Sequence, residues 1–151
     1  MTAAHRIVRS RLEDLHVTVP LGGLRSAVEA TAERFERDGP PVRVTVRGAA
    51  ADLPPESVAV VSRVLGEALA NVARHASADH AFVDVRVEGQ RLELRVEDDG
   101  VGIDLDACAD RADGHFGLSL MRERARTSGG TCQIGPRPGG GTRVVLRMPL
   151  R

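Results

Sequence analysis

The sequence has no tryptophan, no tyrosine and only three phenylalanines. Base-stacking platforms of the kind that hold single-stranded nucleic acid therefore have almost no material to be built from. Net charge is lacking too, because 21 basic residues face 21 acidic ones, so no net field draws the chain to a polyanion or an anionic membrane. Both absences disfavour general nucleic-acid binding. The two cysteines, Cys108 and Cys132, form neither a metal-ligand pattern nor a disulfide framework, which makes a reducing cytoplasm the simplest compartment. No apolar run approaches the roughly 18 residues of a membrane span, and Met1 to Arg11 holds none fit for a signal peptide. No membrane contact is expected of this segment. A membrane anchor of a parent protein would have to lie elsewhere.

What is present is 42% hydrophobic and 28% charged residues over 151 positions, the balance of one soluble globular domain. From Pro20 to Arg37 the positions Leu21, Leu24, Val28, Thr31 and Phe35 recur at helical spacing, with Gly39, Pro40 and Pro41 as the stop. Val42, Val44 and Val46 alternate with polar residues and call for a strand buried on one face. Pro54 and Pro55 open a longer helix to about Ala76, whose Val58, Val61, Leu65, Ala68 and Val72 mark a core-facing stripe. Val83, Val85 and Val87, then Leu92, Leu94 and Val96, flank Gly89 and Gln90 and predict a hairpin. Asp98 to Gly117 has no sustained period and reads as a long functional loop. A third helix is expected from Leu118 to about Ser128, then strands over 131–134 and 142–148. The element order predicts an α/β two-layer sandwich, with about five strands in a mixed, mostly antiparallel sheet packed on three helices. Residues 20–150 form the domain, and 1–19 read as an arm or the remnant of a preceding helix.

Four pieces carry candidate chemistry. Glu67 and Asn71 lie four apart on one helix flank, His75 extends the row and Arg74 lies beside it. Carboxylate and amide oxygens are hard ligands of the type Mg²⁺ takes, and Arg and His can contact phosphate. Alone, the same residues also describe a solvated flank. Asp98 ends a strand and is followed by Asp99, Gly100, Val101, Gly102 and Ile103; a carboxylate there can accept a hydrogen bond from an exocyclic amine such as that of adenine, although Asp-Gly pairs are also ordinary turn formers. Gly114, His115, Phe116, Gly117 and Leu118 lead into the third helix, where free backbone N–H groups favour phosphate. Gly139, Gly140, Gly141 and Thr142 form either a flexible turn or a ligand contact through the Thr142 hydroxyl.

In this order, EALANVARH (67–75), DDGVG (98–102), GHFGL (114–118) and GGT (140–142) resemble the N, G1, G2 and G3 boxes of the ATP-binding catalytic domain of bacterial two-component sensor histidine kinases. That domain has the Bergerat fold, shared with DNA gyrase, the mismatch-repair ATPases and a heat-shock chaperone. GLSLMRERA (117–125) looks like the subfamily paired with LuxR-type response regulators, nitrate and nitrite sensors among them. The resemblance implies ATP and Mg²⁺ as ligands, with Asn71 on Mg²⁺ and phosphates and Glu67 assisting the accepting histidine. Arg74 and His75 would adjoin the phosphates, and Asp98 would hold the adenine amino group. Gly100, Gly102 and Ile103 would shape the pocket, residues 104–116 would form the ATP lid, and His115, Phe116, Gly117, Leu118 and Thr142 would line the nucleotide. Asp99 and His115 depart from the commonest family residues. The implied reaction is transfer of the γ-phosphoryl group to a histidine on a dimerisation domain, with a LuxR-type regulator downstream. Neither His5 nor His16 precedes an acidic residue as that acceptor would, so the chain is expected to bind ATP without completing the transfer alone. An anti-sigma-factor serine kinase of the same fold and a degenerate nucleotide-binding interaction module are the alternatives.

Overall fold

The computed structural model describes residues 23–48, 53–102 and 112–150, the side chains of 112–116 excepted. The arm assigned to 1–19, Ile103 and the lid residues up to 111 lie outside the described residues.

Helix α1 (Gly23–Glu36) buries Leu24, Ala27, Val28 and Thr31 on one face. The buried Thr31 hydroxyl is satisfied by donating to the Ala27 carbonyl at 2.9 Å. At its end Glu36 Oε1 accepts the Val42 N–H at 2.7 Å, which ties the helix to the start of β1 (Val42–Gly48). Helix α2 (Pro55–Asn71) starts on a proline at its first position, where the missing N–H costs nothing. It carries the predicted stripe of Val58, Val61, Leu65 and Ala68, all buried.

Strands β2 (Ala81–Glu88) and β3 (Arg91–Asp98) form the predicted hairpin over Gly89 and Gln90. Helix α3 (Ala112–Thr127) is followed by β4 (Thr131–Pro136) and β5 (Thr142–Pro149). The sheet order is β1-β2-β3-β5-β4. Among the described strands only β1 and β2 run parallel, and the crossover that a parallel pair requires is α2. The remaining pairs are antiparallel, so the expected mixed sheet on three helices is found.

Alternation decides the layers. Val83, Val85, Leu92, Leu94, Val96, Val144 and Leu146 point to the helices and are buried, while Arg86, Glu93, Arg95, Arg143 and Arg147 lie on the open face. Between sheet and helices sit Leu65, Leu69 and Met121, each at most 1% exposed.

The second helix ends at Ala76 as expected, and its last five residues, Val72–Ala76, wind as a π-helix, a wider turn that recurs at functional sites. One expectation needs correction. The third helix begins at Ala112, six residues before the predicted Leu118, so Gly114–Leu118 lies inside a helix. Glycine's low helix propensity at 114 and 117 conceals that start in the sequence.

Candidate functional site: the end of helix α2 and the strand ends beside it

The site begins on the last turns of α2, where Glu67 and Asn71 share an edge, both partly exposed, while their neighbours Ala68, Leu69 and Val72 are buried. Arg74 folds back along that edge: its Nη2 lies 3.4 Å from Glu67 Oε1 and 3.4 Å from Asn71 Oδ1, and its Nε donates to the Ala70 carbonyl at 3.3 Å. A guanidinium thus lies against two of the oxygens that the sequence assigns to metal and phosphate chemistry. His75, also expected on this row, is exposed and makes no hydrogen bond or ion pair with the described residues.

The π-helical turn ends at Ser77 in the left-handed region, φ 48°. From there the chain enters β2 under the control of Asp99, whose Oδ1 accepts the N–H groups of Asp79 and His80, each at 2.9 Å, and whose Oδ2 lies 2.9 Å from His80 Nδ1. The His80 N–H, then its imidazole, then the Asp79 N–H outweigh desolvation and hold the Asp99 carboxyl below its ordinary value of 3.8. Val101 N–H donates to the Ala76 carbonyl at 2.8 Å, and Gly100 packs against the same carbonyl. Asp99 therefore fastens the end of α2 to the loop after β3. Sequence reasoning gave it no such role, because its partners lie about twenty positions upstream.

Asp98 closes β3. Its side chain points to the helix layer and is 2% exposed. Its Oδ1 accepts the Gly100 N–H at 2.9 Å, which folds the chain after β3 back onto the carboxylate. One register step beyond Glu97 and Arg143, Asp98 stands across from Thr142, so both face the helix layer at neighbouring strand positions.

Gly117, in α3, approaches Glu67 so closely that a Cβ there would run into Oε1. Leu118 is buried beside it. The structure thus brings Glu67, Asn71, Arg74 and Gly117 together and sets Asp98, Gly100, Gly102 and Thr142 around the end of β3. Ile103 and the side chains of His115 and Phe116 lie outside the described residues. A groove of about 550 Å³ lies at the other end of the sheet, among Arg86, Glu93, Gly130 and Arg147, and contains none of these side chains.

The donor set can be tested for a metal. Among the described residues no group of three or more His, Cys, Asp or Glu is built to hold one. The Asn71 and Glu67 oxygens, gathered under a guanidinium, still fit a hard cation whose other positions are filled by water or phosphate oxygens, the usual habit of Mg²⁺.

Among the described residues no helix is long and apolar enough to cross a membrane. Comparison with solved structures finds the blue-light activated histidine kinase of Erythrobacter litoralis, at 27% identity and a TM-score of 0.65, covering 85% of this chain and 42% of that one. The ATP binding domain of PrrB from Mycobacterium tuberculosis shares the fold, with a TM-score of 0.61 at 24% identity over 85% of this chain and 95% of that one. Among curated proteins, the nitrate/nitrite sensor protein NarX of Escherichia coli is 32% identical over 133 residues, 87% of this chain and 21% of NarX. The sensor histidine kinase NarS of M. tuberculosis is 38% identical over 93 residues, 61% of this chain and 22% of NarS. The chain spans about a fifth of the length of these curated relatives. The profile of the histidine kinase-, DNA gyrase B- and HSP90-like ATPases matches residues 56–151, from the first turn of α2 through β5, and the chain belongs to that family.

Proposed function

We propose that this chain binds ATP with Mg²⁺ and supplies the γ-phosphoryl group for phosphorylation of a histidine on a separate dimerisation domain, in two-component signal transduction. The observation that carries the reading is the buried Asp98 carboxylate at the end of β3, tied through Gly100 and Val101 to the end of the helix whose edge holds Glu67, Asn71 and Arg74. One end of the site suits a base and the other suits phosphates.

Each described residue has a task that its position allows. The buried Asp98 carboxylate accepts the adenine amino group and so confers base specificity. Gly100 and Gly102 bring backbone close to the base, Thr142 lines the same side, and Ile103 is assigned to the pocket by the family resemblance. Asn71 offers Oδ1 to the metal. Arg74 leaves Glu67 and Asn71 and turns its fork to the phosphates, with His75 flanking them, and His115 and Phe116 are assigned to the nucleotide by the family resemblance. Glu67, released from Arg74, orients and accepts a proton from the incoming imidazole, so that a nitrogen lone pair faces the γ-phosphorus. Gly117 leaves room for that carboxylate, and Leu118 packs behind it. When bound, Mg²⁺ neutralises phosphate charge. The protein's contribution is otherwise positioning and electrostatic, as phosphoryl transfer generally requires.

The partners in this reading are a helical dimerisation domain bearing the acceptor and a LuxR-type response regulator downstream. The relatives carry sensor-kinase names, and no observation favours the serine-kinase or degenerate-module alternatives. Incubation with γ-labelled ATP, Mg²⁺ and a histidine-bearing sensor-kinase dimerisation domain tests it. Acid-labile, base-stable label on the helical domain supports the proposal; label on serine, or none with ATP demonstrably bound, contradicts it.

A further inference from the structure

We propose that Glu97, Arg137 and Arg143 form a clamp on the open face of the sheet that positions the glycine turn 139–141 against Asp98, and so act as positioning residues for adenine recognition. The inference rests on Asp98 holding the base.

Glu97 and Asp98 are neighbours in β3 and therefore point to opposite faces of the sheet. Asp98 faces the helix layer, while Glu97, with a side chain 14% exposed, gathers guanidinium groups on the other side. Its Oε1 accepts Arg143 Nε at 2.8 Å and its Oε2 accepts Arg137 Nε at 2.9 Å, with Arg95 Nε at 4.0 Å. Arg137 lies over the Phe82 ring, 5.2 Å from its centroid, which fixes the guanidinium in a second direction.

The same arginine holds the turn from within. The Arg137 N–H donates to the Gly141 carbonyl at 2.9 Å, the Gly140 N–H donates to the Arg137 carbonyl at 3.0 Å, and Arg137 Nη1 reaches the Gly140 carbonyl at 3.4 Å. Gly139, Gly140 and Gly141 all have positive φ, at 88°, 113° and 98°. Three successive glycines have little conformational preference of their own, so a single geometry here has to be imposed from outside. Arg137 imposes it, and Glu97 anchors Arg137.

The turn in question forms a wall of the Asp98 site. A Cβ on Gly141 would run into the Asp98 carbonyl oxygen and come within 3.1 Å of Asp98 Oδ1, and one on Gly102 would lie 3.3 Å from the Gly141 carbonyl. Arg143 adds a second tie. It pairs with Glu97 across the β3–β5 ladder, one residue from Thr142, and fixes the register that sets Thr142 opposite Asp98. Charges on the open face thus hold the geometry of a pocket on the other face.

The experiment uses the full chain and the variants R137A, R137K, E97Q and D98N. It measures dissociation constants for ATP and GTP, thermal melting, and amide exchange over residues 139–142. If the clamp holds the competent turn, releasing it leaves that geometry only partly populated, and ATP affinity falls about five- to tenfold in R137A and E97Q. Exchange in the turn speeds up, the preference for ATP over GTP narrows, and R137K, whose ammonium can still reach Glu97, recovers part of the affinity. Faster exchange in R137A and E97Q with unchanged ATP affinity overturns the clamp, as does unchanged exchange. D98N separates the premises: loss of ATP preference there but not in R137A or E97Q overturns the clamp alone, and no effect of D98N overturns the adenine reading and the clamp with it.

Discussion

Arg74 Nη2 stands 3.4 Å from Glu67 Oε1, two helical turns back on the same edge of α2, with side chains 45% and 28% exposed. At that exposure the pair contributes at most about 1 kcal/mol to stability. Its significance lies in where the guanidinium goes when phosphate arrives. Arg74→Ala is expected to shift the melting temperature by only a few degrees at most. It should weaken binding of ATP by about tenfold, the scale of one charge-assisted hydrogen bond, with a smaller effect on adenosine. Calorimetric titration of the two ligands checks this, and equal losses for both would contradict it.

Leu65 is fully buried on the face of α2 that meets the sheet, one turn from the site. Leu65→Ala should cost about 2–5 kcal/mol by urea unfolding, from lost transfer energy and the cavity left behind. A cost below about 1 kcal/mol would mean that this face is not packed as described.

The Asp99 carboxylate is held below 3.8 by the His80 and Asp79 donors. A depressed folded value means that its contribution is complete above the unfolded value and is lost as pH falls through the folded one. Wild type should therefore be more stable than Asp99→Asn at neutral pH, with the difference shrinking as pH drops below 3.8. Unfolding curves at stepped pH test the sign. A gap that widens on acidification would refute the clamp at the end of α2.

Cys132 is buried in β4, and desolvation, only partly opposed by the Arg122 charge, pushes its thiol up to about 11 from 9.0. At neutral pH it is a protonated, shielded thiol. Peptide mass spectrometry should find it unalkylated in the native protein and alkylated once urea is added. The raised value also predicts that its contribution to stability is complete below 9.0 and is lost as pH rises through about 11. Rapid native labelling would place Cys132 outside the core.

The strands were legible because valines at period two leave only one way to bury a face, and the hairpin at Gly89 and Gln90 falls where the pattern breaks. The first turns of α3 are not legible, because Gly114 and Gly117 mask them. The π-helical turn after Asn71 left no local signal, since the helical spacing runs on through it to Ala76. In the site, Glu67, Asn71 and Asp98 were legible as polar residues at the edges of regular patterns. Glu97 and Arg137 were not, although they are in contact, because they are 40 positions apart and meet only through the register of β3 on β5. Alternation places Glu97 on the open face, and Arg137 falls in the turn between β4 and β5. What it could not show is that this part of the surface braces the wall of the pocket beneath it.

The most direct test of the account is a titration of the full chain with ATP and a non-hydrolysable analogue, with and without Mg²⁺, alongside Asp98→Asn and Asn71→Ala. Binding that is lost in Asp98→Asn, and that strengthens with Mg²⁺ in wild type but not in Asn71→Ala, is the predicted result. Folded protein that binds no ATP at millimolar concentration, or binds it equally well in all three forms, would contradict it.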